Sequence, residues 1–112
     1  MADRGFQVYK LAATADIATT PLVDAKSVPG GRFAIPSTGT GCTVQPIHAY
    51  MVDDPANPGA KIAERFTPID VAPVALLPGQ STAIDAAMFG WGKLGFVITV
   101  GTPQPVLAGG LT

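Results

Sequence analysis

Cys42 and His48 are the one thiol and the one imidazole of the chain, so a cysteine nucleophile activated by histidine is the first chemistry to consider. The residues around them alternate as in a single extended strand, which places the two side chains six positions apart. At about 3.3 Å per residue they are separated by roughly 20 Å, far beyond hydrogen-bond reach. Only a sharp reversal at Pro46 would bring them together. We therefore expect a buried thiol, a hydrogen-bonded histidine on a sheet face, and no catalytic residues.

The other polar residues indicate neither a metal site nor a cofactor. One Cys and one His are too few for a structural zinc, which takes four ligands. Asp53, Asp54 and Asn57 offer oxygen ligands in one loop, but their spacing is not that of a calcium loop, and turn formation explains the same residues. Residues 39–43 have the glycines of a phosphate loop but lack its lysine. Glu64 is the only glutamate, and no carboxylate pair suited to sugar hydrolysis is evident.

Aromatic residues give the candidates for an interaction site. Phe89 and Trp91 are framed by glycines that let the backbone bend sharply. Two interpretations stay open: a corner that caps the core, or an anchor in a subunit interface, where such rings are enriched. Tyr50 is the third candidate interface residue, because with Trp91 it forms the one aromatic pair that could serve as a binding platform.

The charge content excludes several partner classes. Charged residues make up 13% of the 112 residues, about half of the ~25% typical of a soluble domain. The net charge of −1 is not the positive charge that a nucleic-acid-binding surface or a polybasic membrane contact requires, so neither nucleic acid nor a membrane is expected as a partner. Surfaces poor in charge are typical of those that another protein buries. We therefore expect a homo-oligomer, for which a trimer is one option, or a subunit of a larger particle; a monomer with an Ala/Thr surface is the alternative.

The fold class follows from the high content of glycine (13) and proline (11) and from short segments in which apolar and polar residues alternate. Strands are predicted at 6–11, 32–35, 42–52, 81–85 and 94–100, with shorter pieces within 61–77 and at 105–108. In the clearest of them Leu94, Phe96, Ile98 and Val100 share one face, and a single helical turn begins at Asp85. The pattern predicts one all-β domain, an antiparallel β-sandwich of jelly-roll or Ig-like type with six to eight strands.

Segments without core periodicity are interpreted as arms. Residues 1–5, 12–28 and 103–112 are the candidates, and 12–28 is predicted to hold an extended arm or an edge strand.

An unpaired cysteine argues against a stapled secreted scaffold, and no apolar segment follows the first charges, so we expect synthesis in the cytoplasm. The two long charge-free stretches are broken by Pro and Gly, so no membrane span is predicted.

Residues 29–101 contain, in this order, the motifs Pro29-Gly30-Gly31-Arg32-Phe33 and Leu77-Pro78-Gly79-Gln80-Ser81 and a helical turn before the strand from Lys93. In the order of these motifs they resemble small β-sandwich virion proteins of tailed bacteriophages. The composition is also similar to that of lambda-type head decoration proteins. The resemblance implies a non-enzymatic capsid decoration or cement protein, located in the virion, with the major capsid protein or other virion subunits as partners and without a cofactor.

In such a protein the mechanism is physical. A rigid sandwich presents apolar rims and arms, and many weak contacts act together on a lattice. The alternative is a soluble β-sandwich binding module that recognises a ligand, a glycan or a host surface, and it requires an exposed aromatic platform.

Overall fold

The computed structural model describes residues 6–28, 30–90 and 92–111. The strands in these ranges are β1 (Phe6–Ala13), β2 (Leu22–Asp24), β3 (Arg32–Ala34), β4 (Cys42–Asp53), β5 (Lys61–Phe66), β6 (Val74–Leu76), β7 (Ser81–Ala83), β8 (Lys93–Val100) and β9 (Gln104–Leu111). Two 3₁₀ helices, Ala25–Ser27 and Ala86–Gly90, are the helical elements of the described part. The second helix is the predicted turn, and Asp85 Oδ1 accepts a hydrogen bond from the Ala87 amide at 2.9 Å.

The strands form two antiparallel sheets, which confirms the predicted β-sandwich. Sheet A has the order β1-β9-β3-β7, and sheet B has the order β2-β8-β4-β5, with β6 also paired to β4. The described ranges contain nine strands where six to eight were expected, because the segment before Pro29 and the C-terminal segment both supply one.

The core lies between the sheets, where the alternating inward residues of each strand meet. The rings of Phe33 in sheet A and Phe96 in sheet B pack with centroids 4.8 Å apart. Both are fully buried, as are Val44, Leu94 and Val106. Burying a Phe or Leu side chain contributes about 1.5–3 kcal/mol each, so this layer is the main source of stability.

Two predictions need correction, and a third is confirmed in one of its two forms. The predicted arm or edge strand at 103–112 is wrong, because Gln104–Leu111 forms β9, which lies inside sheet A with β1 on one side and β3 on the other. In residues 12–28 the edge strand is confirmed and the arm is not, because these residues end β1, supply the edge strand β2 and form the first 3₁₀ helix. Val100 does not share a face with Leu94, because a one-residue register shift pairs Val100 with Thr43 and Ile98 with Val44. Residues 1–5 lie outside the described residues.

The loop between β1 and β2 covers the outer face of sheet B. Thr14 O accepts from the Ile98 amide at 2.9 Å, and Thr20 Oγ1 donates to Phe96 O at 2.7 Å. Arg65, on β5, donates across the sheet to the carbonyl oxygens of Ile17 and Thr20. The loop thereby gives sheet B a second apolar layer, in which Ile47, Ala49 and Val97 are buried.

Pro46 is accommodated in a gap between two partner strands of β4. On the side of β4 away from β8, β6 pairs with residues 42–44 and β5 pairs with residues 48–53. Pro46 lies between these two ranges and faces neither strand. The Gln45 side-chain amide donates to Pro46 O at 2.8 Å and to Val71 O at 3.0 Å, which closes the gap. A proline is therefore tolerated within a long strand because no ladder donor is needed there.

Candidate interaction surfaces

Cys42 and His48 lie on the same strand, β4, which runs past Pro46 without a reversal. Six residues of extended chain separate them by roughly 20 Å. The Cys42 thiol is buried beside its strand partner Leu76, and burial raises the pKa of the thiol. The structure therefore does not bring the two groups together, and it makes the thiolate less accessible rather than more.

His48 faces the core at the rim of the sandwich. Its ring packs against Phe66, its partner on β5, with centroids 6.0 Å apart and the planes at 64°. Burial lowers the pKa of His48, and the nearby Asp70 carboxylate raises it to a smaller extent. The imidazole is thus held in its neutral form as part of the packing.

The oxygen-rich loop at Asp53–Asn57 is a hydrogen-bonded turn. Asp54 Oδ1 accepts from the Ala56 amide at 2.9 Å, and the Asn57 side-chain amide donates to Asp54 Oδ2 at 3.4 Å. Asp53 pairs with Lys61 at 2.6 Å. Within the described ranges, no three His, Cys, Asp or Glu side chains are grouped so that they could hold a metal ion.

The three candidate interface residues occupy different surroundings. Phe89 is half-buried and packs against the core. Trp91 lies outside the described residues. Tyr50 is 43% exposed and projects from β4. Tyr50 alone among the three is thus seen on the surface, and its surroundings define the first interaction surface.

The β4–β5 hairpin extends beyond the sandwich. The pairing of β4 with β8 ends at Ala49 and Lys93, so among the described strands β5 alone pairs with β4 from Tyr50 onward. Cross-strand pairs then place the same-face residues together, with Tyr50 opposite Glu64 and Val52 opposite Ile62. We call this side the hairpin face; it is formed by Tyr50, Val52, Ile62, Glu64 and Phe66.

The hairpin face is apolar and partly exposed. The exposed fractions are 43% for Tyr50, 37% for Val52, 41% for Ile62 and 40% for Phe66. Glu64 is the single charged group among its five members. Contiguous exposed apolar surface of this kind marks interaction sites more often than isolated exposed residues do.

The hairpin is anchored rather than loosely hinged. Arg65, on the opposite side from the hairpin face, binds the two carbonyl oxygens of the β1–β2 loop. The Lys61–Asp53 ion pair joins the two strands near the turn, although both groups are exposed and such a pair is worth at most about 1 kcal/mol. The hairpin face is therefore presented in a fixed orientation relative to sheet B.

The outer side of sheet A is a second exposed surface in the described part of the chain, and we call it the sheet face. The register brings the outward side chains of β1, β9, β3 and β7 into rows. Val8 in this face is 56% exposed. The central members of the sheet face are Val8, Lys10, Arg32, Ala34, Ser81 and Leu107.

Two hollows lie on the sheet face, each beside a cationic side chain. The one at Arg32 has a volume of about 200 Å³ and is bordered by Val8, Leu107 and Gly109. The other, of about 300 Å³, is bordered by Lys10 and by prolines at 36 and 105. Among the described lining residues of the two hollows there is no carboxylate and no imidazole. These hollows can accept an apolar group next to a positive charge, but they hold no acid–base pair for catalysis.

The two 3₁₀ helices are too short to cross a bilayer, and the described part of the chain has no longer helix. Comparison with family models, with curated proteins and with solved structures gave no match. The hairpin face and the sheet face are therefore the observations on which a functional proposal can be built.

Proposed function

We propose that the chain is a non-enzymatic structural subunit of a virion, of the capsid decoration type, which binds a shell lattice of major capsid protein and stabilises it. The hairpin face carries the proposal, because it is an apolar, fixed surface that projects beyond the core. The low charge of the chain and its resemblance to phage virion proteins support the same reading.

The size of the hairpin face fits a contact that works in many copies. Its four apolar side chains, each about two-fifths exposed, offer on the order of 300 Å². At about 25 cal/mol per Å² this gives ~7 kcal/mol, which is comparable to the cost of association of about 4–15 kcal/mol. One such contact is weak. A lattice that presents the same site repeatedly makes the sum strong through multivalency.

The test is incorporation into particles. Virions are banded by density-gradient centrifugation from a lysate of host cells that express the chain, and the chain is quantified against the major capsid protein by mass spectrometry. We expect a fixed molar ratio that persists through a second gradient. A chain that stays at the top of the gradient would contradict the proposal.

A pair of matched variants locates the contact. Val52→Ser together with Ile62→Ser removes apolar surface from the hairpin face, whereas Met51→Ser removes it from the opposite side of the same hairpin. We expect incorporation to fall for the first variant and to be unchanged for the second. Equal incorporation of both variants would remove the hairpin face from the proposal.

The binding-module alternative is favoured by one observation, the exposed ring of Tyr50. It predicts a chain that is absent from particles and that binds oligosaccharides on a glycan array. In that case Tyr50→Ala would abolish the signal.

A further inference from the structure

The edge strands of the two sheets differ in length and in charge. Among the described strands the edges are β1 and β7 in sheet A and β2, β5 and β6 in sheet B. β2, β6 and β7 have three residues each, whereas β1 has eight. The six residues of β5 include Lys61, Glu64 and Arg65, and charge on an edge strand is a common protection against pairing with another chain. β1 contains one charged residue, Lys10, so it is the longest and least protected of these edges.

The backbone of β1 has a row of hydrogen-bonding groups on the side away from β9. The Ile84 amide donates to Gly31 O at 2.8 Å, so the odd-numbered residues of this segment bond toward β7 and the even-numbered residues of β3 bond toward β9. The partners of β3 in β9 are odd-numbered, which leaves the even-numbered residues of β9 to bond with odd-numbered residues of β1. The N–H and C=O groups of residues 6, 8, 10 and 12 therefore point away from β9. No described residue forms a backbone hydrogen bond with them.

This row of outward groups has defined ends. β1 begins at Phe6, and after Ala13 the chain leaves sheet A. Thr14 O then accepts from the Ile98 amide of sheet B at 2.9 Å, so the next outward position is already occupied. The outward groups from residue 6 to residue 12 form one row about 20 Å long, at ~3.3 Å per residue.

The side of β1 that faces the core is incompletely covered. Tyr9 and Leu11 pack against the core, yet both are only half-buried. Their partners in β9, Ala108 and Val106, are fully buried, because β9 has a strand on both sides. The apolar layer is thus open along β1, and a further strand beside β1 would bury more of the Tyr9 and Leu11 side chains.

We infer, beyond the proposed function, that β1 pairs antiparallel with β1 of a second copy across a twofold axis. The two A sheets then form one continuous eight-stranded sheet. A strand that meets its own copy in this way offers the same donors and acceptors from both sides, so one isologous contact satisfies both edges at once. The hairpin face belongs to sheet B and is left to the shell lattice.

The outward positions and the single charge select the register. With the axis at Tyr9, residue 6 pairs with residue 12 and Val8 pairs with Lys10 of the second copy. Every outward residue is then used, which gives about eight hydrogen bonds, two for each pair. Val8, which is 56% exposed, is covered by the aliphatic part of the lysine. An axis at Lys10 would place two like charges directly opposite each other, which is unfavourable, and an axis at Val8 would pair fewer of the described outward residues.

The first test blocks the edge and leaves the β1–β9 hydrogen bonds in place. Val8→Pro removes an outward N–H group and adds a ring on the free side, and proline is tolerated at such a position of an edge strand. Ala63→Pro is the matched control on the edge of β5. The Asp54 amide donates to Ala60 O at 3.0 Å, so the even-numbered residues bond across the hairpin and the Ala63 N–H points away from β4.

Molar mass is measured for the full chain by light scattering and sedimentation velocity from about 1 µM to about 500 µM, since a contact one strand wide is smaller than a standard interface. We expect the unmodified chain and Ala63→Pro to form a dimer with the same dissociation constant. Val8→Pro should dimerise at least about 30-fold more weakly, because each copy loses a donor and leaves a carbonyl of the other copy unpaired. Circular dichroism verifies that both proline variants are folded.

A second test, which does not depend on proline, measures the register by disulfide formation. Val8→Cys and Lys10→Cys are made separately in a chain that also carries Cys42→Ala, and the two are mixed in the presence of oxidised glutathione. Opposed residues of a hydrogen-bonded pair have Cα atoms about 5.5 Å apart, which suits a disulfide. The mixture should give the mixed disulfide dimer, identified by its intact mass. Val8→Cys mixed with Ser81→Cys, on the opposite edge of sheet A, is the control and should stay uncrosslinked.

Three results would overturn the inference: an unmodified chain that is monomeric over the whole range, a folded Val8→Pro variant that dimerises as the unmodified chain does, or a Val8→Cys chain that crosslinks with itself in preference to Lys10→Cys. These outcomes are separate from the particle test. A chain that bands with virions but stays monomeric refutes the β1 pairing and leaves the proposed function intact. A chain that dimerises through β1 but never enters particles does the opposite.

Discussion

Gly95 lies where β2 and the β1–β2 loop press against sheet B, and its replacement by alanine tests this packing. A Cβ at position 95 would lie 2.9 Å from Leu22 Cδ2 and 2.9 Å from Pro21 O. The leucine methyl can rotate away, but the carbonyl belongs to the backbone that leads into β2. The edge strand must therefore shift, and overpacking of this kind costs about 1–3 kcal/mol.

A nearby glycine provides the matched control. A Cβ at Gly92 would meet Ala49 O at 3.9 Å, which is an ordinary contact distance. Gly92→Ala should be neutral or slightly stabilising, because alanine lowers the entropy of the unfolded chain by about 0.4–1 kcal/mol. The two variants make the same chemical change within three residues of each other, so their difference reports the steric contact.

The free energy of unfolding is measured by urea titration followed by circular dichroism. Thermal unfolding gives a second measure of stability. For a domain of this size a loss of 1 kcal/mol lowers the melting temperature by about 4 °C, so Gly95→Ala should melt about 4–12 °C below the unmodified chain. Equal stability of the two variants would mean that β2 and its loop do not pack on the sheet as described, and the second apolar layer would have to be reconsidered.

Three further predictions concern the core, the C-terminal strand and pH. Phe33→Ala removes the ring that meets Phe96 and should lower the unfolding free energy by about 3–5 kcal/mol, measured by denaturant titration; a loss below 1 kcal/mol would contradict a core between the sheets. Deletion of residues 104–112 removes the strand between β1 and β3 and should leave the chain without a dispersed amide NMR spectrum; a folded truncation would show that β9 is dispensable. Burial holds the pKa of His48 below its ordinary value of 6.5, so the unfolded chain binds more protons and stability should fall as the pH drops through about 6.5. His48→Phe should flatten that pH dependence, and an unchanged slope in the variant would assign it to other groups.

The parts of the fold that could be predicted from sequence are those that local chemistry decides. The β8 strand was evident because Leu94, Phe96 and Ile98 alternate with smaller residues, and all three face the core. The single helical turn after Asp85 was evident from its capping residue. Neither feature depends on which strands become neighbours, so one sequence is sufficient to find it.

The position of β9 depends on distant partners and could not be predicted. Pro105, Gly109 and Gly110 weaken the strand pattern, and locally they favour an irregular tail. The strand forms nevertheless because β1 and β3 flank it on both sides. Close approach also favours a glycine-rich sequence here: a Cβ at Gly31 would lie 2.3 Å from Gly109 O, so the backbones of the two segments touch.

The hairpin face shows the same limit for the candidate site. From Ile47 to Val52 the sequence of β4 is apolar on both sides, and nothing in its composition separates the first half from the second. Ile47 and Ala49 are buried because the β1–β2 loop covers that side of the sheet, and Met51 is exposed because the cover ends before it. On the other side His48 is buried under the core rim, whereas Tyr50 and Val52 extend past the end of β8. The lengths of neighbouring elements thus decide which apolar residues are left uncovered, and a strand with the composition of a core strand retains an apolar surface that a second protein chain can cover.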